Sequence, residues 1–276
     1  MYDLSTEFHL FSIEYFTRCQ QKLSNNWILK PSVGTRAMGH RIIEHNDDFK
    51  KGISTIGKYS PQYKSLLQED GPVGGCIGQL LVENPLLVNN TKFDMRVICL
   101  VRSYEPFDVY MHETYYARLA NKVYDKSQLQ DMQVALTVCC YDEDLDIRNK
   151  QRRMTKEDIR INLLKDFPEM DWNYFDKGIE HLLHDLFKGV GKSVGNYPQS
   201  SAYYAVDIIF DHTNINKPEA KLLEVNFMGD WTGIEIVSAA PNDYHKFVND
   251  LVIGLASKAE LDSNFRKLTP RDVQLE

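Results

Sequence analysis

The sequence predicts an α+β fold in which helices pack against antiparallel sheets. Two observations carry this expectation. Two strand–turn–strand pairs can be read, 92–104 with 108–120 and 202–211 with the strand that ends at Phe227. Helical periodicity falls between and around these pairs, without the regular strand–helix alternation of a doubly wound parallel sheet. The 276 residues, 43% hydrophobic and 26% charged, suffice for one large domain or two smaller ones.

Residues 3–23 place Leu10, Phe11, Ile13, Phe16 and Leu23 at roughly helical spacing, available for one face, until Ser24-Asn25-Asn26 breaks the pattern. WILK (27–30) is a short strand running into Pro31, and 31–41, with Gly34 and Gly39, reads as a loop. The charged, Pro- and Gly-containing stretch 46–75 yields no element. Residues 76–88 are strand-like as far as Pro85. The densest β signal is KFDMRVICLVRSY (92–104), alternating through Phe93, Met95, Val97 and Cys99; Pro106 lies in the turn before the returning strand. Residues 155–168 and 173–190 are helical, with Ile159, Leu163, Ile179, Leu183 and Phe187 among their apolar positions. AYYAVDIIFD (202–211) and KLLEVNF (221–227) form the second hairpin. Residues 242–257 form an amphipathic helix, followed by a frayed tail from Leu268.

Composition excludes several classes. The net charge of -7 and pI near 5.7 give no global basic field for nucleic acid. No apolar run is long enough to span a membrane, and the first residues lack a basic then apolar leader, so a cytoplasmic protein is expected. The five cysteines, odd in number and without CxxC spacing, read as free thiols. KQRRMTK (150–156) is a short basic cluster that reads as a solvated loop.

Three oxygen-bearing residues suggest chemistry. Glu224 and Asn226 are two apart in a strand and so share a face. Asp207 lies mid-strand between Val206 and Ile208, where a carboxylate is costly unless paired, hydrogen-bonded or metal-bound. The hairpin brings these strands together, and such hard oxygens suit magnesium. The alternative is that Asp207 pairs with a basic residue and Glu224 lies at a solvated edge; spacing leaves both readings open. Lys92, Asp94 and Arg96 alternate on one strand face, and Arg118 lies in a comparable strand. Lys30 stands at a strand end before a loop with two glycines, without the GK[ST] of a Walker loop.

Taken in order, WILKPS, KFDMRVICLVRSYEPFDVYMHETYYARLA, AYYAVDIIFD and LLEVNF resemble the tubulin–tyrosine ligase-like family of the ATP-grasp superfamily, specifically a divergent branch of it. The resemblance runs from about Trp27 to the helix at 242–257. It implies an ATP-grasp domain over 1–276, with its core at about 27–257 and nucleotide between two lobes. It implies ATP and Mg2+ as cofactors. Lys30, Gly39 and Lys92 would serve the phosphates, Gln79 to Val82 (Leu81 included) the adenine, and Asp94 the nucleotide pocket. Arg96 and Arg118 would face the acyl phosphate and incoming amino acid, and Asp207, Glu224 and Asn226 would hold magnesium. Tubulin, or another protein, is the implied substrate, and cytoskeletal association follows from it.

The sequence also departs from the family pattern. Family loops carry glycines seven and nine residues after the lysine; here these positions are Ala37 and Gly39. Bulky Phe227 and Met228 follow the LLEVN motif, and only 26 residues precede Trp27, where family ligases have a substantial N-terminal lobe. A fragment or a shortened member is expected. Three functions therefore stand side by side: a protein–amino acid ligase, a nucleotide-binding pseudoenzyme that regulates tubulin modification, and a small-molecule carboxylate–amine ligase.

Overall fold

A computed structural model describes residues 1–31, 40–44, 76–137, 153–195, 197, 200–214, 217–227, 233–234, 241–256, 261 and 264–270. Gly39 and its loop, the 46–75 stretch, Cys139, Cys140, Met228 and the last six residues lie outside these. The chain forms two compact units, Met1–Glu83 with Tyr124–Arg148, and Asn84–Val123 with Asn149–Glu276.

The first unit holds β1 (Tyr2–Asp3), α1 (Phe8–Gln21), β2 (Trp27–Pro31), β3 (Arg41–Ile43), β4 (Cys76–Leu80) and a single helical turn, α2 (Met132–Ala135). Its sheet runs β1-β4-β2-β3, antiparallel throughout. Trp27 and Leu29 point to one face and pack with Phe11, Tyr15 and Ile43; the Phe11 and Trp27 rings meet edge-on at 4.8 Å. Ile28 points to the other face and packs with Ile42, Leu81, Leu129 and Ala135.

α1 corrects one expectation. Its buried face is Phe11 and Tyr15, a 3.6-residue repeat that Phe8 and Cys19 extend. Leu10, Ile13, Phe16 and Leu23 are exposed. The sequence offers two apolar stripes here, and the one carrying three rings, Phe8, Phe11 and Tyr15, takes the sheet.

The second unit holds β5 (Leu87–Val88), β6 (Thr91–Ser103), β7 (Asp108–His112), β8 (Tyr116–Leu119), β9 (Arg153–Thr155), α3 (Lys156–Asp166), α4 (Trp172–Val194), β10 (Ala202–Asp211), β11 (Glu219–Phe227), α5 (Pro241–Ala256) and β12 (Phe265–Lys267). The sheet runs β11-β10-β6-β7-β12. β6 is its spine: β10 flanks one side, and β7 and then β8 flank the other, all antiparallel. The returning strand expected over 108–120 is therefore two strands, interrupted at Glu113–Tyr115.

β6 presents two different faces. Phe93, Met95, Val97 and Cys99 meet Phe175, Ile179, Leu183 and Phe187 of α4, the i, i+4 pattern that made this helix legible. Burying each large apolar side chain contributes about 1.5–3 kcal/mol. Asp171 caps α4, accepting from the Asn173 N–H, and Thr155 with Asp158 forms a capping box on α3. On the opposite face, Lys92, Asp94 and Arg96 are followed by Ile98 and Leu100, which lie with Phe247 and Leu251 of α5. α5 approaches closely through Gly254, where a Cβ would lie 2.5 Å from Tyr203 Oη.

Candidate functional site

The charged half of that face is built by strand register. Asp207 stands opposite Glu224 on one side and Arg96 on the other, and Arg96 in turn stands opposite Tyr116. One row therefore crosses four strands: Glu224, Asp207, Arg96, Tyr116. The adjoining row places Asp94 opposite Arg118, and Arg118 opposite Arg153. The face of Lys92, Asp94 and Arg96 is buried rather than solvated.

Asp207 is 0% exposed and is held by two guanidiniums. Arg96 donates Nε to Oδ1 at 2.8 Å and Nη2 to Oδ2 at 2.9 Å, and Arg118 Nη2 lies 2.8 Å from Oδ2. Arg118 also clamps Asp94, each of its two bonds 2.8 Å long. Two carboxylates and two guanidiniums thus form a charge-balanced, fork-shaped network, the geometry that makes burial of charge tolerable.

Burial alone pushes the Asp207 carboxyl up, but Arg118 and Arg96 outweigh it and hold it down, from 3.8 to about 2. Burial lowers the Arg96 and Arg118 guanidiniums, and their carboxylate partners more than restore them. Burial raises the Tyr116 phenol against the pull of Arg96, Arg118 and Arg153.

The row ends at the sheet edge. Glu224 is exposed and Asn226 half-buried on β11, the outermost strand. Asn226 Nδ2 faces both carboxylates, 3.1 Å from Glu224 Oε1 and 3.4 Å from Asp207 Oδ2. The amide N–H group thus lies between the two carboxylates. Turning the amide would present its oxygen, giving two carboxylates and one carbonyl, hard donors that fit magnesium. Of the two readings left open by spacing, the structure shows the ion-paired one, with Asp207 held by Arg96 and Arg118 and Glu224 exposed on the edge strand, and it places Glu224 and Asn226 beside Asp207.

In the first unit, Lys30 lies on β2 opposite Ile77, and Gln79 opposite Ile28. Lys30, Gln79 and Leu81 therefore share the sheet face turned away from α1. His40 precedes β3; burial first, and the Lys30 charge second, lower its imidazole to about 4, so it is neutral at neutral pH. Gly39 lies outside the described residues.

Sequence reasoning passed over two residues in the second unit. Tyr116 reads as one more apolar β-former, and nothing local reveals that it faces Arg96. The sequence reads Arg153 as part of a solvated loop, but residues 153–155 pair with β8 as β9. The alternation Arg153-Met154-Thr155 is the only local hint.

The profile of the "Tubulin-tyrosine ligase family" matches residues 5–235. Mouse (Mus musculus) tubulin–tyrosine ligase-like protein 12 is 27% identical over 248 residues, 83% of this chain and 35% of that protein. A probable tubulin polyglutamylase of Caenorhabditis elegans, ttll-9, is 31% identical over 141 residues, covering 49% of this chain and 29% of its own length. Tubulin glycylase 3E of Tetrahymena thermophila is 23% identical over 245 residues, 85% of this chain and 15% of its own. The chain spans about a third of the length of the ligase-like protein 12 relatives it matches.

Proposed function

The chain belongs to the tubulin-tyrosine ligase family, and from that membership we propose that it joins an amino acid to a protein carboxylate at the expense of ATP, with tubulin as the acceptor to test first. The observation that carries this reading is the buried Asp94–Arg118–Asp207–Arg96 network ending in the open Glu224–Asn226 pair.

The proposed reaction has two steps. A carboxylate oxygen of the acceptor attacks the γ-phosphorus of ATP, giving an acyl phosphate and ADP. The amino acid's amine then attacks the acyl carbon, and the C–O bond to phosphate breaks. In the second unit, Lys92 is assigned to the phosphates. Arg96 and Arg118 are pre-positioned, by Asp207 and Asp94, to meet the charge that develops on the transferring group. Asp207, Glu224 and Asn226 would hold magnesium, and the chemistry it would supply is neutralisation of the phosphate charge.

The ion pairing of Asp207 also favours a second reading, a pseudoenzyme that binds nucleotide or tubulin and regulates tubulin modification. Calorimetric titration tests the shared premise. Magnesium–ATP is expected to bind wild type, and Glu224→Gln is expected to weaken that binding by about tenfold to a hundredfold, with little change when magnesium is withheld. Equal affinity in both proteins would remove Glu224 from the metal site. If binding is confirmed, incorporation of radiolabelled amino acid into tubulin separates the ligase from the pseudoenzyme.

A further inference from the structure

In the first unit, the β2–β3 ladder ends with Leu29 opposite Arg41. Lys30 lies one step beyond on β2, and His40 the same step beyond on the facing segment. Both belong to the sheet face turned away from α1. Lys30 alternates with Ile28 and His40 with Ile42, and these two isoleucines pack together on that face. His40 is half-buried, and its Nδ1 is fully buried without a hydrogen bond among the described residues. A buried ring nitrogen left unsatisfied carries a desolvation cost that a bound partner removes.

The neighbours narrow the chemistry of that partner. Lys30 is the charged group that acts on the His40 ring, and it opposes a second positive charge there. On the far side of Lys30, β4 turns Ile77 and Gln79 to the same face. Leu129 and Ala135 pack over it, and between them Asp131 accepts the Gln133 N–H at the start of α2. Glu44, beyond Ile42, accepts from Gln130 Nε2 at 2.7 Å. Exposed Arg41 follows Leu29 to the opposite face. An anion reaching Lys30 would offset the charge that opposes protonation of His40, and would offer Nδ1–H an acceptor. A phosphate suits both groups, because it carries several acceptor oxygens and enough negative charge for two cations.

We propose that His40 is a phosphate ligand beside Lys30, joining as its imidazolium when the phosphate is in place. The proton comes from solvent and goes to Nδ1, which then donates to a phosphate oxygen, while Nε2 keeps its own hydrogen. Two sources share this chemistry: the phosphates of a nucleotide, and a free phosphate ion. Reading the phosphate as a nucleotide's rests on the function proposed above; the site itself rests on the placement of His40 and Lys30.

The test uses the full chain near pH 6, where a raised imidazole is readily seen to titrate. The probes are magnesium–ATP, tripolyphosphate, inorganic phosphate and adenosine. The His40 ring resonance, identified by its absence from both His40→Gln and His40→Ile, is followed by NMR in wild type. Calorimetry in two buffers of different ionisation enthalpy counts protons taken up, and the difference between wild type and His40→Gln isolates the His40 share. With magnesium–ATP, the titration of His40 is expected to move up from about 4 toward the ordinary imidazole range. His40→Gln is expected to lose the proton uptake and to weaken magnesium–ATP binding by about tenfold, leaving adenosine binding within about twofold. Movement with magnesium–ATP and tripolyphosphate assigns a nucleotide's phosphates; movement with inorganic phosphate but not magnesium–ATP assigns the free ion. A His40 resonance that none of the three phosphates moves, equal proton uptake in His40→Gln, or an equal movement with adenosine each overturns the proposal. If magnesium–ATP binds and His40 does not respond, the proposal fails and the nucleotide reading survives. If magnesium–ATP does not bind and either phosphate alone moves His40, the nucleotide reading fails and the phosphate site stands.

Discussion

Replacing Asp207 with alanine is expected to lower the stability of the second unit by about 3–5 kcal/mol, the range for breaking a buried ion pair by removing one partner. Asp207 is the carboxylate shared by two buried guanidiniums, and removing it leaves Arg96 and Arg118 with Asp94 as the remaining anion of the network. The cavity adds to the cost, because β10 is central in the sheet. Asp207→Asn keeps the shape and loses the charge, so it should recover the packing part only. Urea denaturation followed by circular dichroism measures both variants. A loss below about 1 kcal/mol in Asp207→Ala would mean that the arginines find other partners and that the network is not a fixed unit.

The same residue predicts a pH dependence. Its carboxyl is held below its unfolded value of 3.8, at about 2, so the folded state favours the charged form. That contribution is fully present above pH 3.8 and is lost as pH falls toward 2. Asp207→Asn should flatten this part of the acid-unfolding curve and leave the curve unchanged at neutral pH apart from a constant offset.

The sequence made long elements legible and short ones not. β6, β10 and β11 announce themselves by alternation, and α4 by its apolar repeat, because each buries a whole face whose period is written in the chain. β1, β3, β9 and β12 are two or three residues long and exist because a neighbour supplies their hydrogen bonds, so no local pattern marks them. The candidate site divides in the same way. Asp207 and Glu224 belong to one hairpin, and their adjacency follows from its turn. Asp207 meets Arg96 across 111 positions of sequence, and the β6–β10 register that joins them is a tertiary fact. Arg153 escapes a sequence reading for the same reason: three residues of strand inside a charged stretch look like a loop until β8 is beside them.

Arg266→Met carries the second large effect, about 2–3 kcal/mol of stability, discounted from the fully buried case because the side chain is 24% exposed. Arg266 sits on β12 and bonds both oxygens of Glu113, at 2.6 and 2.7 Å, and Asp176 of α4 at 2.7 Å, with Glu180 3.5 Å away. Lys156 adds contacts to Glu113 and Asp176, and Tyr115 donates to Asp176. Burial raises Glu113 and Asp176, and these partners more than reverse it, holding both carboxyls below their ordinary values. In Arg266→Met the two should rise toward the ordinary range, so stability should fall at neutral pH and lose part of its acid sensitivity. Arg266→Lys should rescue little, since a single ammonium cannot span Glu113 and Asp176 as the fork does. A double-mutant cycle with Asp176→Asn isolates the pair term. If Arg266→Met proves nearly neutral, β12 must be held instead by Phe265 and Leu268, which pack into the clusters on the two faces of the sheet, and the ion network would follow from that docking rather than cause it.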